Sequence, residues 1–179
     1  MTDVKATGEA PAAIAGPMAA VGFLLSQLGF VVSRRFHETL APIGLEPRQF
    51  LVMRNVGLEE GRSQQALAEA LNIPASRIVA IVDDLEERGI LERRAHPTDR
   101  RARALYLTPE GRRVLGEAFR LATEFDAAVS KGLTPEEREQ LLGLLRRLAA
   151  THNVATQVHA ALTDDPRDCA DPVASSHHR

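Results

Sequence analysis

The chain has 179 residues, 44% of them hydrophobic, which is enough for one buried core and favours a single domain. Aromatic residues supply only 4%, with no Trp, while Ala, Leu and Arg are plentiful, a helix-rich composition. A net charge of −2 does not mark a nucleic-acid binder, so any such role must rest on a local patch; the lone Cys169 excludes an internal disulfide and fits a reducing cytoplasm.

Residues 1–16 are rich in Ala, Gly and Pro without periodicity and are expected to form a flexible tail. A long helix is expected from Pro17 to about Leu40, with Val21, Leu24, Leu25, Leu28, Val31, Val32, Phe36 and Leu40 forming a broad apolar stripe. The apolar run Met18 to Val32 is too short to span a bilayer, where about 20 residues are needed, and Ser26, Gln27 and Gly29 interrupt it. So apolar a terminal helix exceeds what one lone domain needs, and a partner subunit would cover the excess. After the turn Pro42-Ile43-Gly44, a second helix is expected from Pro47 to about Val56, with Gly57 to Gly61 as the break.

Ser63 is a good N-cap for a short helix Gln64–Leu71, and Asn72-Ile73 makes a turn. The next helix is expected to start at Pro74 and to bury Ile78, Ile81, Val82 and Leu85, spaced i, i+3, i+4, i+7. Gly89 is its natural stop, with Arg88 favourable at the negative end. A hairpin over about Ile90–His96 and Arg101–Leu107 follows, turning at Pro97-Thr98-Asp99. Thr108-Pro109 and Thr134-Pro135 each place a Thr cap before Pro at a first helical position, and Glu137 completes a capping box in the second. They open helices to about Val129 and about Val158. Residues 163–179, with four Asp and two Pro, are expected to be disordered.

The hairpin carries Arg93, Arg94, Arg100, Arg101 and Arg103, and the local net charge from Arg88 to Arg103 is +4. Guanidinium groups at such density cannot all be buried without partners, but their donor forks suit phosphate oxygens and a narrow minor groove. Two short helices joined by a tight turn and followed by this hairpin predict a winged helix-turn-helix. The fold class expected is all-α with a small two-stranded antiparallel β wing. On the second short helix, Ser76, Val79, Ala80 and Asp83 lie opposite the apolar stripe, with Arg77 at the flank. Of these, Ser76, Val79 and Ala80 are expected to face the bases and Arg77 to reach a base or a phosphate, and Ser63 and Ala75, at the two helix starts, complete the DNA-binding set. Serine can pair with several base edges and Val or Ala can touch a thymine methyl, but no Asn or Gln is offered to adenine by this face. Specificity is therefore expected to lean on DNA shape and on the wing. Arg93 and Arg94 are open to two roles: neutralising the DNA backbone, or forming surface ion pairs with Glu86, Glu87 and Glu92.

The run Asp99-x-Arg101, Leu105-x-Leu107-Thr108 and Gly111 resembles the wing signature of the MarR family of bacterial transcription regulators. Leu67-Ala68-x-x-Leu71 and Val79-x-x-Val82-Asp83-x-Leu85-Glu86-x-Arg88-Gly89 resemble that family's helix-turn-helix, and the similarity spans roughly residues 18–150. The resemblance implies one domain over 17–162, with a winged helix-turn-helix over 45–108 and dimerisation helices over 17–44 and 109–162. It implies that Arg101 enters the minor groove while Asp99 holds it by a charge-assisted hydrogen bond, with Arg100 and Arg103 on phosphates. Many members carry a longer polar or basic side chain where Ala80 stands. A homodimer on a pseudo-palindromic double-stranded operator is implied, released from DNA by a small aromatic acid or phenolic effector, which is the behaviour of a cytoplasmic repressor.

For the effector, Ser33, Arg34, Phe36 and His37 on the first helix and Met53 and Arg54 on the second are the candidates, since a cation among apolar walls suits a carboxylate. Arg34 and His37 have a plainer reading as solvent-facing residues of an amphipathic helix. His152 and His159 share a helical spacing, but nothing nearby completes a tetrahedral metal set, and His177 and His178 sit near the chain end. No phosphate loop, nucleophile elbow or matched His–nucleophile pair is present, so neither an enzyme nor a cofactor is expected. The alternative is a winged-helix module that has lost DNA binding and contacts protein instead. The concentrated arginines argue against it, because protein interfaces deplete unpaired charge.

Overall fold

The computed structural model describes residues 20–95, 103–152 and 154. Both expected tails, Cys169, Pro17, His159, His177 and His178 lie outside them, as do Asp99, Arg100 and Arg101 at the wing turn. By internal contacts the chain divides into residues 1–35 and 36–179.

The described part of the first unit is the leading portion of helix α1, Val21–Leu40. Val21, Phe23, Leu24, Leu25, Leu28 and Phe30 are all exposed there, Phe30 at 70%.

The second unit begins on the last turn of α1, where Phe36 and Leu40 are buried, followed by a 3-10 turn, Ala41–Ile43. Gly44 ends that turn at φ +65°, a conformation with little steric cost only for glycine. Helix α2 is Pro47–Leu58, helix α3 Gln64–Leu71 and helix α4 Ala75–Glu87; strands β1 (Leu91–Ala95) and β2 (Arg103–Leu107) follow, then helices α5 (Pro109–Val129) and α6 (Pro135–Thr151). The two strands pair antiparallel, with Leu91 opposite Leu107, Arg93 opposite Leu105 and Ala95 opposite Arg103. The segment before α3 joins them as a short third rung: Gly61 N–H donates to Leu105 O, Leu105 N–H donates to Arg62 O, and Ser63 bridges Ala104.

The core lies beneath the α2–α3–α4 layer and the base of the hairpin. Leu40, Val52, Met53, Val56, Leu67, Leu71, Ile78, Val82, Leu85, Leu91 and Leu105 are essentially inaccessible. Ile78, Ile81, Val82 and Leu85 are all buried, so the period read from the sequence is the period the helix uses. Phe36, Phe50, Phe119 and Phe125 form an aromatic chain, with ring centroids 6.1 Å apart for Phe36–Phe50, 5.2 Å for Phe36–Phe125 and 5.4 Å for Phe50–Phe119.

Three boundaries differ from expectation. Gly57 lies inside α2, which continues to Leu58. Pro74 is the N-cap of α4, and the helix starts one residue later at Ala75. The last helix stops at Thr151, seven residues before Val158. The caps themselves are as expected. Ser63 accepts from Ala66 N–H, Thr108 from Gly111 N–H and Thr134 from Glu137 N–H, and the Glu137 side chain returns a bond to Thr134 N–H.

Candidate nucleic-acid interface

Helix α4 separates its faces cleanly. Opposite its buried stripe, Ala75, Ser76, Val79, Ala80 and Asp83 are exposed, Val79 at 42%. Arg77 is half-buried at the flank. A hollow of about 500 Å³ opens between α3 and α4, floored by Ala68, Ile73, Ala75 and Val79 and rimmed by Gln64, Gln65 and Glu69. Ser63 is half-buried at the entrance to α3, its hydroxyl oxygen occupied by the cap bond to Ala66.

The wing's described residues divide into two kinds. Arg94 is mostly exposed: it pairs with Glu92 at 2.5 Å and lies over the Tyr106 ring, 4.6 Å from its centroid. Arg103, at the start of β2, is exposed as well. Arg93 is placed differently. Its side chain is only 17% exposed and faces inward onto the helix-turn-helix. Nε donates to Gln64 Oε1 at 2.8 Å, Nη2 to Asp83 Oδ1 at 2.5 Å, and Nη1 to Glu86 Oε2, while its backbone N–H reaches Glu86 Oε1 at 3.1 Å. Burial works against the Arg93 charge, but Asp83 and Glu86 outweigh it and hold its pKa above the ordinary value. Arg93 is thus paired with Asp83 and Glu86, whereas Arg94 pairs with Glu92 at the exposed surface.

Two polar junctions that local sequence patterns did not disclose fix this surface from behind. Asp84 Oδ2 accepts from Gln49 Nε2 at 2.6 Å and from Arg88 Nη1 at 3.3 Å, and Arg88 Nη2 donates to Gly44 O at 2.9 Å. That ties α4 to α2 and to the turn after α1. Glu60 Oε1 accepts from Leu107 N–H at 3.1 Å and from Arg112 Nη1 at 2.6 Å. The Arg112 guanidinium holds the Glu60 carboxyl below the usual carboxylate range. Partners 35 to 52 residues apart leave no periodic trace in the sequence.

Of the remaining candidates, Phe36 and Met53 are core residues at 9% and 0% exposure, Arg54 is half-buried and His37 is exposed. Ser33 is half-buried and Arg34 exposed in the first unit. No group of three or more His, Cys, Asp or Glu side chains is placed to hold a metal ion among the described residues. No described helix is long and apolar enough to cross a membrane.

An exposed helix face thus lies beside an arginine-bearing hairpin, as in a winged helix-turn-helix. The MarR family model matches residues 43–102, which takes in α2, α3, α4 and β1. A transcriptional regulatory protein for the hcr operon of Thauera aromatica, itself described as putative, is 35% identical over 129 residues, spanning 72% of this chain and 78% of the relative. The chain belongs to the MarR family. As a MarR-family protein it is a DNA-binding transcriptional regulator rather than an enzyme, and its fold is the winged helix seen in solved relatives. The transcriptional repressor CouR, bound to a 23-mer DNA duplex, superposes with a TM-score of 0.68 at 31% identity, covering 83% of this chain and 99% of that one. BpsR of Bordetella bronchiseptica, a protein whose DNA binding is regulated by 6-hydroxynicotinic acid, gives 0.64 at 26% identity, covering 74% and 94%.

Proposed function

We propose that this regulator is a homodimeric, ligand-released repressor acting in the cytoplasm on a pseudo-palindromic operator. The observation that carries the DNA reading is the pairing of a small, nearly neutral recognition face (Ser76, Val79, Ala80) with exposed wing arginines. In this reading Ser63, Ala75, Ser76, Arg77, Val79 and Ala80 approach the major groove and its flanking phosphates. Arg94, Arg100 and Arg103 neutralise backbone, and Arg101, positioned by Asp99, enters the minor groove. Repression is supported by the likeness to CouR.

Dimerisation is supported by apolar surface on both units. The first unit leaves the apolar face of α1 exposed, and in the second unit Leu141, Leu142, Leu144, Leu145 and Leu148 are exposed on α6. A monomer rarely leaves so many large apolar side chains in water. Two-fold symmetry then sets half-sites about one helical turn apart.

Effector control is supported by the likeness to BpsR. An aromatic carboxylate is the ligand class proposed, with Arg34 as the candidate partner for its charge. One experiment reads both halves of the proposal: fluorescence anisotropy on a duplex from upstream of the protein's own gene, with 6-hydroxynicotinate and other aromatic carboxylates titrated in. The wild type should bind and then be released by one of them, and Arg34→Ala should bind equally but stay bound. Equal release of both proteins would remove Arg34 from the effector site.

A further inference from the structure

Arg93 is the one wing arginine that the described structure shows bound to both helices of the helix-turn-helix: to Gln64 on α3 and to Asp83 and Glu86 on α4. Glu86 is gripped twice, by the Arg93 guanidinium and by the Arg93 backbone N–H. Arginine has donors only, so the Gln64 atom it meets is the amide oxygen, and Gln64 also lines the α3–α4 hollow. Asp83 lies on the same exposed face of α4 as Ser76, Val79 and Ala80, where an uncompensated carboxylate would meet DNA phosphates.

We propose that Arg93 is a positioning residue for DNA recognition: it masks Asp83 from the phosphates and locks the wing strand to the recognition helix, without itself contacting DNA. This rests on the DNA-binding reading of the same surface and gives it a part that the exposed arginines cannot supply. A free arginine adds one phosphate contact to any sequence. A tethered one fixes the angle between helix and wing, so its loss should damage recognition of a specific site more than binding to random duplex.

Two measurements separate this role from a phosphate contact. The first is affinity of the full chain for an operator duplex and a random duplex across a salt series. Arg93→Ala should weaken operator binding by about 10- to 100-fold, with random-duplex binding and the log–log salt slope nearly unchanged, since no phosphate contact is lost. Adding Asp83→Asn should recover part of the loss by removing the unpaired carboxylate, whereas Asp83→Asn alone, which cuts one of the three tethers, should weaken operator binding less than Arg93→Ala does. Arg93→Lys, which keeps the charge but not the three-way fork, should fall between wild type and Arg93→Ala, and it replaces Arg93→Ala should that variant fail to fold. A slope flattened by about one unit without rescue by Asp83→Asn would overturn the proposal in favour of a direct phosphate contact.

The second measurement needs no DNA. Thermal unfolding of Arg93→Ala, Glu86→Gln and the double variant should be clearly non-additive, because the two residues hold each other. Additivity would overturn the brace whatever the DNA result. Non-additivity in a protein that prefers no duplex would instead place the failure in the DNA reading.

Discussion

Gly111→Ala is expected to destabilise the protein by about 3 kcal/mol, lowering the melting temperature by roughly 6–12 °C for a chain of this size. A Cβ at Gly111 would sit 2.0 Å from the Ile90 carbonyl oxygen, 3.0 Å from the Ile90 carbonyl carbon and 3.2 Å from a Leu107 methyl. The carbonyl cannot easily retreat. It accepts Thr108 N–H at 3.1 Å, and the Thr108 hydroxyl also donates to Gly89 O at 2.6 Å while capping α5 through Gly111 N–H at 2.9 Å. The first turn of α5 is thereby stitched to the chain just before β1, and only a glycine lets the two backbones approach so closely. Gly143→Ala in α6 is the control, since nothing lies within 4 Å of its missing Cβ. It should be neutral or stabilising by up to about 1 kcal/mol, the helix propensity difference alone. Differential scanning calorimetry of the three proteins checks this, and a Gly111→Ala melting point matching the wild type would show that the junction is looser than described.

The second large effect is on binding rather than folding. Val79→Glu should abolish specific operator binding, at least about 100-fold, or on the order of 3 kcal/mol, by setting a carboxylate against phosphates and base-edge acceptors. Val79 is exposed and sits in the hollow between α3 and α4, so the fold should tolerate the change with a melting point within a few degrees of wild type. Anisotropy titration of a labelled operator duplex, paired with circular dichroism, separates the two effects. Retained wild-type affinity in a folded Val79→Glu protein would take this face of α4 out of the DNA contact.

Much of this architecture is legible in the chain because its signals are local. Ser63, Thr108 and Thr134 announce helix starts through a side-chain oxygen that needs only a neighbour three residues on. The recognition helix declares its buried face through the spacing of Ile78, Ile81, Val82 and Leu85. Gly57 shows where local signals mislead. A glycine in a helix is a weak point by propensity, yet here its missing side chain is useful. A Cβ would lie 3.0 Å from a Leu107 methyl and 3.1 Å from a Leu115 methyl, so α2 packs closely against the end of β2 and against α5. At Pro74 the first-position rule is displaced by one residue, with its ψ of 133° placing it outside the helix as a cap.

The candidate site is less legible than the fold. The arginine-rich hairpin supports the proposed DNA-reading surface, yet sequence treats Arg93 and Arg94 alike. In the strand pleat they face opposite ways: Arg94 lies over Tyr106, and Arg93 turns in to Gln64, Asp83 and Glu86. Asp83 likewise reads only as one more residue opposite the apolar stripe until its partner is seen. The Gln49–Asp84–Arg88–Gly44 and Glu60–Arg112 junctions depend on tertiary placement alone. Arg101 and Asp99, the pair on which the minor-groove reading rests, lie outside the described residues and are tested only by binding.

The wing is proposed to read DNA through its arginines. This is tested most directly by a salt titration of binding to the upstream duplex, with wild type beside Arg101→Ala and Arg103→Ala. The wild type should bind tightly and with strong salt dependence, Arg103→Ala should flatten the slope by about one unit, and Arg101→Ala should lose specific binding. Wild-type slopes and affinities in both variants would contradict that role for the wing and leave DNA recognition to the helix face alone.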